Sequence, residues 1–220
     1  MEDDKPESGK GFESAVAYAV AKQLGYAKSD VVWVRSTFDG AITPGAKPWD
    51  LNIQQFSITD ERKKAVDFST PYYETAQAVV TTTGTKAASA TTLAALKGVR
   101  IGVASGTTSY TVVNSQVGQP QVYNSVDDAV QALKTKQVDA VVTDLPGAFY
   151  LASAELKNGV VSGQFADSSS GGDEFAFVLP KGSALTKPVS GAVDAITASG
   201  ELKKITDQWL SSEVDVPVLK

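Results

Sequence analysis

The sequence predicts an α/β chain organised in two units, on three observations. Short β-branched runs alternate with helical stretches of one-sided apolar character, the signature of strand–helix units around a parallel-rich sheet. That pattern restarts after the Gly/Ala/Ser-rich stretch GTKAASA (84–90). The length of 220 residues also gives each of two modest units enough chain for a core.

The elements follow in order. GFESAVAYAVAKQLG (11–25) places Phe12, Val16, Ala19, Val20 and Leu24 on one helical face, with a glycine at each end. VVWV (31–34) predicts a buried strand, 38–42 a short helix, TPGAKPW (43–49) a loop and 50–54 a strand. Thr59 suits the N-cap of a helix through DERKKAV, where Asp60 and Glu61 precede Lys63 and Lys64, the order the helix dipole favours. AQAVVTTT (76–83) is a β-branched run. Beyond it come a helix near 92–96, a strand at 99–103, helices from Thr107 and over 125–134, a strand at 138–142 and a helix at 146–154. The loop ADSSSGGDE leads to the apolar run 175–179 and two closing helices. The runs 76–83 and 175–179 are the expected paired crossings. The first unit is then 1–82 with 180–220, and the second is 83–179.

Composition excludes several classes of function. The net charge of −5 offers no basic face for nucleic acid or an anionic membrane. With no Cys and no His there is no thiolate nucleophile, Ser-His-Asp triad or imidazole metal site; no cofactor and no metal are assigned. No stretch of about 18 apolar residues is present to span a membrane. The opening Met1-Glu-Asp-Asp-Lys-Pro is charged with no apolar segment behind it, so an exported protein would be present here in trimmed form.

Three places could contact a ligand. The first is SITDER (57–62), at a predicted strand end and helix mouth, where ligands of open α/β sheets bind. Arg62 there offers a planar two-pronged donor for a carboxylate, or else a surface pair with an Asp or Glu. The second is Ser105-Gly106-Thr107-Thr108-Ser109, between a strand and a helix, where backbone N–H groups and hydroxyls either hold an anion or simply cap the helix. It matches neither GxxxxGK[ST] nor GxGxxG. The third is Asp144, ending VDAVVTD, which needs a partner beside its valines: an ammonium, a Lys or the following helix. Together they provide an anion grip and a cation grip, for the two charges of an α-amino acid.

The ordered strings GFESAVAYAVAKQLG, FDGAI and DLNIQQFSITDERKKAVDFSTPYYETAQAVV resemble the amino-acid-binding proteins of ABC importers, solute-binding family 3. LKGVRIGVASGTTSY, VDDAVQALKTKQVDAVVTD, FAFVLPKGSAL and SGELKKITDQWL continue the likeness over nearly the whole chain, in a dialect similar to that of actinobacterial members. The resemblance implies a type II periplasmic-binding-protein fold, a Venus flytrap of two α/β lobes joined by two crossing strands and hinged around the ligand. It implies that Arg62 clamps the carboxylate, with Ser57 and the Gln55 backbone beside the ammonium or the carboxylate, that Thr108, with Gly106, Thr107 and Ser109 nearby, donates from the second lobe, and that Asp144 holds the ammonium. Phe38 and Phe56 lie near the cleft in this pattern, or else in the core.

The same resemblance implies a monomeric carrier, periplasmic or extracellular, free or lipid-anchored, that delivers a polar amino acid to ABC permease membrane subunits. Alternatives on the same fold are a cyclohexadienyl-dehydratase-like enzyme and the ligand-binding domain of a sensor or receptor. Two departures stand out. Relatives begin with a strand and an aromatic-bearing loop before the DDKPE-like segment, so a first lobe without them, and weaker binding, is expected. Gln54 and Gln55 stand where small residues are usual.

Overall fold

The structure, a computed structural model, describes residues 5–166, 173–210 and 216–220. Helix α1 (Phe12–Gln23) forms where the apolar periodicity places it and buries Phe12, Val16, Ala17, Ala19 and Val20. Those residues meet α8 (Thr186–Ala198), through Val189, Val193 and Ile196, and α9 (Glu201–Leu210), through Leu202. Burial of this stripe, rather than helix propensity, supplies most of the stability of such a helix.

α2 (Phe38–Ile42) and α3 (Asp60–Ala65) are short, and each starts on a threonine whose hydroxyl accepts a backbone N–H: Thr37 from Gly40 and Thr59 from Arg62. After α3, β1 (Val66–Phe68) pairs antiparallel with β9 (Val178–Pro180), Phe68 facing Val178. Asn52 and Ser57 add single bridges, to Val178 and Phe175. Two expectations fail in this region. Segment 31–34 is not a strand: Val32 is 81% exposed, and Trp33 packs inward, its indole N–H donating to Tyr18 Oη at 2.9 Å. The expected strand at 50–54 reduces to the bridge at Asn52.

The chain divides into two compact units, residues 1–74 with 174–212 and residues 75–173 with 213–220. The boundaries fall upstream of the expected 82/83 and 179/180. β3 (Gln77–Thr82) belongs wholly to the second unit's sheet, so the chain passes over in β2 (Tyr73–Thr75) and returns in β8 (Asp173–Phe175), which pair with each other. The tail also rejoins the second unit, because β10 (Val218–Leu219) adds parallel to β7 (Gly159–Phe165).

The second unit's sheet has six strands in the order β10-β7-β3-β6-β4-β5, with β4 (Ile101–Ala104), β5 (Gln121–Tyr123) and β6 (Ala140–Asp144) parallel to one another. β3 runs antiparallel to both β6 and β7, so the sheet is mixed. Its faces are covered by two apolar clusters, one around Val80, Val130, Leu133 and Val141, the other around Val79, Leu96, Val103, Val113 and Val142. Successive β3 valines feed opposite clusters, as the two-residue period of a strand requires. α4 (Leu93–Leu96), α5 (Thr108–Gln116) and α6 (Val126–Lys134) start on the caps Thr92, Thr107 and Ser125. α7 (Leu145–Tyr150) follows β6 directly and passes into a wider turn at Leu151–Glu155. The loop 166–174 lies largely outside the described residues.

Candidate functional site

In the first unit, Arg62 sits in the first turns of α3 and is only 8% exposed. Its Nη1 donates to the Ser57 carbonyl at 2.7 Å, and its guanidinium carbon lies 5.3 Å from the centre of the Phe38 ring. Phe38 stacks on Phe56 at 4.5 Å. A guanidinium fixed by a carbonyl and an aromatic face loses little side-chain entropy when it grips a carboxylate. Ser57 is 2% exposed. Phe56 is fully buried with Ala41, Val66 and Val178, so its role is core, with Phe38 as the layer that supports Arg62.

Gln55 holds a left-handed backbone at φ 53°. Its N–H donates to Glu13 Oε1 at 2.7 Å, and Tyr72 Oη–H donates to the same oxygen at 2.6 Å. Burial pushes the Glu13 carboxyl above its ordinary value of 4.5, against the opposing pull of the hydrogen bonds from Tyr72 and the Gln55 amide. Gln54 turns the other way, its Nε2 donating to the Ser36 carbonyl at 3.0 Å. Glu13 was not legible as a site-shaping residue, since on the helical wheel it is one more acidic residue in a first turn.

In the second unit, Gly106 takes φ 67°, a conformation open to glycine, and so turns the chain from β4 into α5. The Thr107 hydroxyl is committed locally: it donates to Ala104 O at 2.8 Å and accepts from Tyr110 N at 3.3 Å, the capping alternative. Ser109 is 3% exposed and donates from Oγ to Gln77 Oε1. Gln77 Nε2 donates to Thr108 Oγ1 at 3.2 Å, to Asp144 Oδ1 at 2.6 Å and to Asp173 Oδ2. The sequence reading missed Gln77 and Asp173. Gln77 heads an otherwise β-branched run, and a buried amide among valines is the signal that could have marked it. Thr108, Ser109 and Asp144 therefore converge on one amide, and Ser57, Arg62 and Phe38 converge within the first unit. Among the described residues no cluster of three or more Asp, Glu, His or Cys side chains is placed to hold a metal ion, and no helix is long and apolar enough to cross a membrane.

Two α/β units, the chain passing from one to the other in the paired strands β2 and β8, have the fold of the type II periplasmic binding proteins. Residues 1–212 match the family described as bacterial extracellular solute-binding proteins, family 3, and the chain belongs to that family. It is 32% identical over 206 residues to the ABC transporter arginine-binding protein 1 of Escherichia coli K12, covering 90% of this chain and 81% of that one. It is also 32% identical over 214 residues to the L-arginine-binding protein of Pseudomonas aeruginosa, covering 93% and 80%. The crystal structure of the arginine-, lysine-, histidine-binding protein ArtJ from Geobacillus stearothermophilus superposes with a TM-score of 0.77 at 26% identity, covering 93% of this chain and 87% of that one. The family and these relatives are binding proteins and not enzymes, and the chain is a solute-binding protein.

Proposed function

We propose that this chain captures a polar amino acid outside the cytoplasm and hands it to the membrane permease subunits of an ABC importer. Arg62 takes the ligand carboxylate, with Ser57 and the Gln55 backbone beside it. The α5 start, from Gly106 through Thr108, adds donors, and Asp144 takes the α-ammonium. The observation that carries the reading is Arg62, a guanidinium 8% exposed, held by the Ser57 carbonyl and stacked on Phe38. Held in this way, the guanidinium presents a planar pair of donors whose geometry matches a ligand carboxylate.

The relatives named for arginine make cationic amino acids the first to test. A thermal-shift screen of the twenty common L-amino acids provides the test, because a ligand that binds only the folded state raises the melting temperature. At 100-fold excess over Kd the gain is about 2.7 kcal/mol, a shift of several degrees. A screen in which no amino acid moves the transition overturns the reading.

A further inference from the structure

We propose that Gln77 is the positioning residue of the ammonium-binding half of the site, and that it also draws Asp173 to the point where Asp144 receives the ligand. The proposal rests on the reading of Asp144 given above. Gln77 and Asp144 are register partners of the antiparallel β3–β6 pair, so their side chains project from the same face of the sheet at neighbouring positions. Gln77 is 3% exposed, and both ends of its amide are used. Nε2 meets Asp144 Oδ1 at 2.6 Å, Asp173 Oδ2 at 2.5 Å and Thr108 Oγ1 at 3.2 Å, while Oε1 accepts the Ser109 hydroxyl at 2.5 Å.

Chemistry fixes which way the amide faces. An ionised carboxylate only accepts hydrogen bonds, so the NH2 end must point to Asp144 and Asp173, and the carbonyl end is left for the one partner that can donate, Ser109. The nitrogen has two protons for three acceptors. It serves the two carboxylates at short range and reaches Thr108 less closely.

Three consequences follow. The Asp144 carboxylate is held in one orientation before the ligand arrives, which removes an ordering cost from binding. Two carboxylates meeting on one neutral amide give a place of concentrated negative potential, so an ammonium seated at Asp144 also faces Asp173. Ser109 acts through Gln77 by anchoring its carbonyl, which differs from the direct ligand contact expected from the sequence.

The test separates ammonium recognition from carboxylate recognition. Calorimetric titration uses the L-amino acid that gives the largest thermal shift and the matching acid without its α-amino group. For L-arginine that partner is 5-guanidinopentanoate. The wild-type chain is expected to prefer the amino acid by roughly 100-fold, the scale of a charge-assisted pair in a desolvated site. Gln77→Met, of similar length and without the amide, is expected to cut that preference by roughly 10-fold or more, weakening the amino acid far more than the amine-free acid. Ser109→Ala is expected to lower it several-fold, because the amide loses its anchor.

A Gln77→Met chain that keeps the full preference, or that weakens both ligands by the same factor, overturns the positioning role and leaves the proposed function standing. If Gln77→Met does not fold, Ser109→Ala carries the test: equal weakening of both ligands, or no change, overturns the role. A wild-type chain that binds no amino acid overturns the function reading, and this role with it.

Discussion

Glu13 in the first turn of α1 accepts the backbone N–H of Gln55, 42 residues away, at 2.7 Å. Through that bond a helix of the first unit's core fixes the loop that leads into Ser57 and Arg62. Tyr72 closes the arrangement from a third stretch of chain, its hydroxyl on the same carboxylate oxygen.

The pH dependence of stability should report on this carboxyl. Burial, outweighing the two hydrogen bonds, raises the Glu13 pKa in the folded chain. The folded state therefore binds this proton more tightly than the unfolded state does. The stability it lends is full below the ordinary value of 4.5 and is lost as pH rises through the raised folded value. Glu13→Gln should remove that loss, since an amide oxygen can accept both N–H and O–H while carrying no charge. Urea unfolding at several pH values above 4.5 checks this: the difference in stability between variant and wild type should grow in favour of the variant as pH rises.

Asp139 should act with the opposite sign. The Arg100 guanidinium, through Nε at 3.0 Å and Nη2 at 2.6 Å, holds its carboxyl below the ordinary value of 3.8, and the Arg100 backbone N–H adds to this. Stability from this group is present above 3.8 and is lost as pH falls through the depressed folded value. Asp139→Asn should therefore cost stability near neutrality and progressively less under acid conditions. The pair is partly solvated, so the cost is about 1 kcal/mol or less.

Gln55 occupies a backbone region that costs a side-chain-bearing residue about 1–2 kcal/mol. Gln55→Gly should relieve that strain while keeping the N–H on Glu13. Part of the gain is offset by the greater freedom glycine has in the unfolded chain. A net stabilisation of about 0.5–1 kcal/mol, read from the denaturation midpoint, is the expected outcome. Gln55→Val should go the other way, because β-branching is poorly tolerated at positive φ.

Arg62→Lys should behave as a severe change. An ammonium cannot both meet the Ser57 carbonyl and present a planar fork to a carboxylate, and it stacks less well on Phe38. Titration should show affinity for the amino acid reduced by roughly 10- to 100-fold. Phe38→Ala should give a smaller loss, through the support of the guanidinium alone.

Much of the architecture was legible in the sequence. The apolar periodicity of 11–25, the cap Thr59, the helices expected near 92, from Thr107 and over 125–134, and the valine-rich runs that became β3, β4 and β6 are all local signals. What failed depended on partners far along the chain. Val31–Val34 has strand composition, but a strand needs a ladder, and Val32 and Val34 face outward instead. β7, written GVVSGQF, lacks a strong β pattern and is a strand because β3 and β10 flank it.

The candidate site divides the same way. Arg62, Thr108 and Asp144 carry their chemistry in their residue types. Glu13 and Asp173 take part only because the fold brings them to Gln55 and to Gln77, and nothing in their local sequence announces that; Gln77 is marked locally only as an amide heading a valine run.

In the proposed function Arg62 takes the carboxylate and Asp144 the ammonium of one amino acid. Calorimetric titration of the wild-type chain with the best ligand of the amino-acid screen tests it most directly, run beside Arg62→Ala and Asp144→Asn. The expected result is saturable one-to-one binding by the wild type and a loss of roughly 100-fold or more in each variant, with melting temperatures that show both variants folded. Undiminished binding by either folded variant would contradict it.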